Sequence, residues 1–301
     1  MQRPLCHWNP PVPEACVRVG DLRCYPLADG DHEYPTSAVF PGRSDEELEA
    51  VLPAGGVSQD LLVGYSGLLV DTGKQRILID TGAGPLSPTT GRLLGSLTQC
   101  GFSRDDVDVV VLSHLHADHI GGLLTPEGDL TFPNAEFITS RVEHEFWMSE
   151  ANQTKLQAGE LFGLGEVERI LLAWIRKYIP PLAAANRLRL IDSECEAAPG
   201  VLVFPAFGHT PGHLAVLASQ GNQQLLFGGD AFLHPAHIQH PQWLSVFEVM
   251  PDQTVETRRA LLDRAASDHC LMFLFHFPFP CLGTVSRKNN GYGWEPMASN
   301  L

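Results

Sequence analysis

No apolar run in this 301-residue sequence can cross a bilayer: the longest, such as Cys270 to Phe275, fall far short of roughly 20 residues. The opening MQRPLCHWNPPVPEAC has an arginine but no apolar h-region, so no secretory leader is expected. No two cysteines have CxxC spacing; all seven (6, 16, 24, 100, 195, 270, 281) are scattered. That pattern reads as a reduced, cytoplasmic compartment with thiols acting as small core residues. Charged residues are scarce at 18%, and basic ones scarcer, 20 against 35 acids, for a net charge of −15. Such a charge repels nucleic acid and anionic membrane at long range, so neither is an expected partner. Glycine (28) and proline (23) follow no period, which excludes a collagen-like repeat. What is abundant is hydrophobic, 44% of the chain, enough for a sizeable core.

The length suits one large domain or two halves sharing a core. Residues 1–15 read as an irregular proline-rich arm, and 16–301 as a single domain of two β-rich halves. Strands are expected at Val17–Pro26, Leu61–Val70, Gln75–Asp80, Asp108–Leu112 and Ala135–Ile138. More follow at Arg187–Ile191, Val201–Phe207, Leu214–Ala218, Gln224–Phe227 and Leu271–Phe275. Helices are expected over Ser44–Val51, Thr90–Cys100, Ser140–Ser149, Glu166–Tyr178 and Thr254–Ala266. In the fourth, Val167, Leu171, Trp174 and Tyr178 form a stripe that reads as core packing or as a lid. The order suggests an α/β sandwich in layers, helices outside.

The 13 histidines are the unusual feature, because several lie where an apolar strand stops. His114, His116, Asp118 and His119 follow VVVLS, His209 follows VLVFPAFG, Asp230 follows QLLFGG and His276 follows LMFLF. Strand ends sharing a sheet edge converge on one rim. Imidazole and carboxylate bind zinc and similar divalent ions. These seven side chains exceed one four-coordinate ion and suit two that share a carboxylate. The expected division is His114, His116 and His209 on one ion, Asp118, His119 and His276 on the other, Asp230 between. Asp230 also reads as a turn residue, and His276 as a core histidine. His213 reads as an orienting group or a strand start rather than a ligand. His234, His237 and His240 read as a pocket-side loop, or else as a further metal site.

HLHADH, GHTPGH, GGDA and the late strand-end histidine, in that order, resemble the metallo-β-lactamase superfamily across roughly residues 60–285. The resemblance implies a four-layer αβ/βα sandwich with two mixed β-sheets, outer helices and metals at one edge of both sheets. It also implies that Asp80, in LIDTGAG, supports the ligands from behind; the alternative is a turn cap. DTGAG, GRLLGSL, GFSRDDVD, HIGGL, FPNAEF, the Phe146–Trp147 pair and HFPFP further resemble methyl parathion hydrolase and the bimetallic lactonases. That likeness makes Trp147 a candidate wall of an aromatic pocket, although it reads equally as core. Phe146 and Phe232 flank the same motifs.

The expected activity is metal-dependent hydrolysis of a lactone, carboxylic ester or phosphotriester. A hydroxide between two divalent ions, Zn2+ before Mn2+, Co2+ or Fe2+, is expected to attack the ester centre, with the leaving alkoxide stabilised by the other ion or protonated through Asp118. A glyoxalase II-like thioesterase is the alternative. An iron redox enzyme, an RNA-processing nuclease and a non-enzymatic binding protein fit less well. Asp118 and Asp230 are the expected catalytic carboxylates, and the partner is a small neutral ester or lactone. A homodimer is expected from the arm, with Trp8 and Val12, and from two apolar sides around Ile170–Tyr178.

Overall fold

The computed structural model describes residues 16–52, 60–289 and 291–297; the arm, with Trp8 and Val12, lies outside them. Two seven-stranded sheets hold the strands in chain order. The first comprises β1 (Val17–Val19), β2 (Leu22–Tyr34), β3 (Leu61–Asp71), β4 (Arg76–Ile79), β5 (Val109–Val111), β6 (Glu136–Ser140) and β7 (Leu188–Ile191). It is antiparallel from β1 to β4 and parallel from β4 to β7. The second comprises β8 (Cys195–Ala198), β9 (Val201–Pro205), β10 (Leu214–Gln220), β11 (Gln223–Phe227), β12 (Leu271–Phe273), β13 (Leu282–Lys288) and β14 (Gly291–Pro296). There only β11 and β12 run parallel.

The apolar runs are continuous because both faces of the central strands are buried. Leu68, Val70, Ile77, Ile79, Val109 and Val111 point into a core shared with Val203, Val216, Leu225 and Phe227 of the other sheet. The alternate residues Leu69, Leu78 and Val110 pack outward under helices. These include α3 (Leu93–Gln99) and α7 (Glu166–Ala184). Leu226 and Met272 do the same under α9 (Pro251–Asp268). The result is four layers, helix–sheet–sheet–helix. Truncating a fully buried strand residue such as Leu78 to alanine costs about 2–5 kcal/mol. The remaining helices are α1 (Thr36–Val39), α2 (Asp45–Glu49), α4 (Ala117–Ile120), α5 (Arg141–Met148), α6 (Glu150–Ala158) and α8 (Ala236–Gln239). Ser44 caps α2 through a capping box with Glu47.

Several expectations need correction. Val17–Pro26 is a hairpin, not one strand: Gly20, at φ +62°, turns β1 into β2. The chain then runs extended to Tyr34. Helix α7 passes through Pro180 and Pro181, because burying Ile179 and Leu182 outweighs the lost hydrogen bonds. Its buried side is Leu172, Ile175, Tyr178, Ile179 and Leu182; of the stripe read from sequence only Tyr178 belongs to it. Glu168 misleads the pattern, since its buried carboxylate accepts the backbone N–H groups of Leu161, Phe162 and Leu164. Helix α6 and strands β8, β13 and β14 are further elements beyond those expected. No described helix is long and apolar enough to cross a membrane.

Candidate metal centre

Parallel strands β4 and β5 end side by side, and the backbone N–H of Asp80 bonds the carbonyl of Val111. Asp80 turns sharply there (φ 60°) and is fully buried. Its carboxylate accepts Ser113 N (2.7 Å) and Ser113 Oγ (2.6 Å) and lies 2.8 Å from His119 Nδ1. The loop beyond β5 carries His114 and His116, and α4 carries Asp118 and His119. From the second sheet come His209, after β9, Asp230, in the turn after β11, and His276, after β12.

These residues gather into two quartets, His114, His116, His209 with Asp230, and Asp118, His119, His276 with Asp230; in each, the ligating atoms lie within 4.8 Å of one another. Asp230 is the shared member. Its Oδ2 is 2.9 Å from His276 Nε2 and 3.4 Å from His209 Nε2, and its Oδ1 is 3.2 Å from His119 Nε2. Asp118 Oδ2 lies 3.5 Å from His276 Nε2 and 3.7 Å from His119 Nε2.

Four of the five rings are aimed by their other nitrogen. His209 Nδ1 faces Glu248 (3.1 Å), His276 Nδ1 faces the carbonyl of Gly64 (3.0 Å) and His114 Nδ1 faces Ser113 Oγ (3.1 Å). His119 uses Asp80. Four imidazoles therefore present Nε2 inward, while His116 presents Nδ1, 3.0 Å from His209 Nε2. This is how metal-ligating histidines are held.

The donor set fits divalent cations. Among the described residues buried His114 Nε2 has no hydrogen-bond partner, and His119 Nε2 and Asp230 Oδ1 have only each other, 3.2 Å apart and poorly aligned, a costly state for polar atoms. Burial and the neighbouring imidazoles drive His114 and His116 well below the ordinary histidine value, so their lone pairs are free. At His119 burial opposes the charge, but Asp230, Asp118 and Asp80 win and raise its pKa. Burial likewise opposes the charge on Asp230, yet His119 and His276 hold it far below the usual carboxylate range. Positive charge is thus favoured between Asp230 and its histidines, where a cation can replace protons.

Four groups hidden from sequence reading hold this arrangement. Glu248 accepts from Arg258 (2.9 Å) and Ser245 (3.1 Å) as well as facing His209. Arg258 is fully buried and also donates to the carbonyls of Ala231, Pro241 and Trp243. Glu143, on α5, accepts Leu115 N (3.0 Å) from one motif loop and Gly212 N (2.9 Å) from the other. The fourth is Tyr34, whose hydroxyl lies 2.7 Å from that of Tyr65. Glu143 and the Tyr34–Tyr65 pair join distant segments, and none of the four groups has a local sequence signal.

His213 sits behind the cluster: Nδ1 meets the carbonyl of Ala206 (3.0 Å) and Nε2 accepts the N–H of Asp230 (3.1 Å). Burial pushes its pKa down to about 3, so it is neutral. The pocket expectation for Phe232 is corrected: its ring is fully buried in the core under α9. Trp147 is also fully buried, donating to Glu143 (2.6 Å), with its ring centroid 5.6 Å from that of His116. Phe146 is half-buried and faces Phe162 at 6.3 Å. None of the three lines the cavities at the cluster. His234 and His237 pack edge-on to Phe40 and His240 stacks on Trp243; they join neither metal-type quartet among the described residues.

A cavity of about 50 Å³ touches His116, Asp118, His209, Asp230 and His276. A larger one, about 610 Å³, shares Tyr34, His116 and Phe247 with it. Its walls include Phe162, Leu164, Val167, Ile170 and Leu171, so the second apolar side of α7 faces this space. Among the described residues its lining contains no lysine or arginine.

Two layered sheets with a His/Asp cluster at the strand ends define a metallo-hydrolase architecture. The model of the metallo-beta-lactamase superfamily matches residues 60–275, and the chain belongs to that superfamily. It is 29% identical over 126 residues to an N-acyl homoserine lactonase of Bacillus sp., 42% of this chain and 38% of that relative. It is 27% identical over 191 residues to a probable metallo-hydrolase of Mycobacterium tuberculosis, 56% of each. The chain thus spans well under two thirds of the curated relatives it matches. Among solved structures, AidC, a dizinc quorum-quenching lactonase with its product N-hexanoyl-L-homoserine, superposes at TM-score 0.82 (28% identity, 94% of this chain and 97% of that one). The hydrolase AbOPH of the beta lactamase superfamily superposes at 0.86 (25% identity, 97% and 100%).

Proposed function

We propose that this protein hydrolyses small neutral hydrophobic esters, lactones first, then carboxylic esters and phosphotriesters, with two divalent ions held by the quartets. One observation carries the reading: two quartets sharing Asp230 open through Tyr34, His116 and Phe247 into an apolar, cation-free cavity of about 610 Å³. The lactonase relatives support it. Zinc suits the donors, as do manganese, cobalt and iron. Bound ions supply Lewis acidity, which acidifies water and polarises a carbonyl.

The chain's own groups supply the rest. The apolar tail of the substrate lies between α7 and Phe247, which excludes water from the ester. Asp118, whose side chain is 15% exposed against 3% for Asp230, is placed to take a proton from the attacking water and pass it to the leaving alkoxide. Tyr65 is buried and, among the described residues, finds only Tyr34 as acceptor, so its proton goes there. The Tyr34 proton is left to meet substrate oxygen at the junction of the two cavities.

A glutathione thioester is less well matched, because among the described residues no cation lines the cavity. The dimer remains a proposal: Val167 (41% exposed) and Ile170 (44%) give α7 an open apolar side, although that side also walls the cavity. Metal analysis followed by a panel of lactones, aryl esters, phosphotriesters and thioesters tests the function. Two ions per chain and fastest turnover of a hydrophobic lactone or ester are expected. One ion, or best turnover of a thioester or phosphomonoester, overturns it.

A further inference from the structure

We propose that a second cavity, behind the metal ligands, binds a small carboxylate with an apolar tail, and that its occupant acts on His119. The cavity measures about 550 Å³ and shares no lining residue with the two at the cluster. That volume lies within the roughly 300–1,000 Å³ of small-molecule sites. Leu93, Leu94, Leu124 and Phe132 make its body apolar.

Two exposed cations, Arg104 and Lys177, line it. Among the described residues neither forms an ion pair; the Lys177 ammonium has only the Tyr178 hydroxyl (3.4 Å) and ring face (4.8 Å). Of the two acids present, Asp29 is already engaged by the N–H groups of Ala83 (2.8 Å), Leu93 (2.9 Å) and Gly91 (3.3 Å). The other, Glu127, is exposed on an outer turn. Thr125 Oγ1, buried without a hydrogen-bond partner, adds a polar contact. Two unpaired cations over an apolar body match an anionic head with a hydrocarbon tail.

The floor is the backbone that carries the metal-ligand motif. Thr81 bonds the carbonyl of His119 twice, through N (2.9 Å) and Oγ1 (2.8 Å), and Gly121 N bonds Gly82 O (2.9 Å). A side chain at Gly84 or Gly121 would collide with the opposing backbone, so these segments have no slack. A ligand pressed against Thr81, Gly121 and Gly122 therefore bears on His119. The consequence for turnover rests on the function proposed above: hydrolysis of a lactone or ester releases a carboxylate of this class, and the second cavity senses it.

The test is photo-crosslinking of the metal-loaded protein with octanoate carrying a terminal diazirine. Label is expected on peptides spanning residues 121–132 or 177–178. It should drop about tenfold in the Arg104→Ala/Lys177→Ala double variant, whose altered side chains are exposed. Octanoate should also change lactone turnover non-competitively in the wild type and not in the double variant. Label confined to residues 161–171 and 246–251, or undiminished in the double variant, overturns the site; purely competitive inhibition overturns the coupling. If no ester or lactone is hydrolysed, the proposed function fails while the labelling still decides the site.

Discussion

Replacing Glu248 by glutamine tests how much of the metal site is built from its surroundings. Glu248 is 9% exposed and lies between Arg258 (2.9 Å) and His209 Nδ1 (3.1 Å). The guanidinium has no acceptor role, so the glutamine oxygen must turn towards Arg258. The amide NH2 then faces His209, whose Nδ1 has to accept. The ring proton moves to Nε2, the atom 3.4 Å from Asp230 Oδ2, and the inward lone pair is lost. Losing such support typically weakens metal affinity about 10–100-fold. Arg258 also loses a buried counter-charge, and breaking such a pair costs about 3–5 kcal/mol. Its three carbonyl contacts remain, so the lower end is expected. Competition with a chelator should show one ion leaving first, and urea unfolding should show a lower midpoint. Two ions bound at wild-type affinity would refute the tautomer argument.

Asp230→Asn should remove most activity and weaken both ions while leaving the far-ultraviolet circular dichroism unchanged; wild-type turnover with full metal content would contradict a shared role. Tyr34→Phe should lower kcat about a hundredfold, the scale for one oxyanion donor, with KM little changed. Tyr65→Phe should lower it too, but not further in the Tyr34→Phe background; additive losses would mean Tyr65 acts by packing alone. Burial pushes His234 down to about 4 and His213 down to about 3, against an ordinary value of 6.5. Each is therefore neutral when folded, and the unfolded chain takes up more protons below pH 6.5. Their stabilisation is complete above that value and falls as the pH drops towards 4 and then 3. Urea midpoints should decline from pH 7.5 to 5, less steeply in His234→Gln; equal slopes would refute the assignment. Leu171→Trp, which fills the larger cavity, should raise KM for long-tailed esters and spare short ones. Equal effects on both would move the tail elsewhere.

The fold was legible because each central strand is an uninterrupted apolar run, and the cluster because polar residues stand where those runs stop. The histidines and the aspartate of HLHADH announce metal chemistry by type and spacing. Illegible were the groups that act through space: Glu143 sits in a helix where an acid reads as solvent-facing, yet it ties Leu115 to Gly212. Arg258 looks like one more charge on α9 and is wholly buried. Phe232 follows closely on Asp230 in the chain, yet its ring turns into the core under α9 rather than into the pocket.

Each quartet takes two side chains from the first sheet's half of the chain, and the remaining two, Asp230 among them, from the second. Neither half owns a complete ligand set. The free energy of ion capture is therefore held in the contact between the halves, and by mass action any ion that binds fastens one sheet to the other. A ribosome delivering this chain releases His114, His116, Asp118 and His119 long before Asp230. The nascent first half carries only two of the four ligands of either quartet. Ligation waits for the second half, as a clasp that shuts only when both edges have been made.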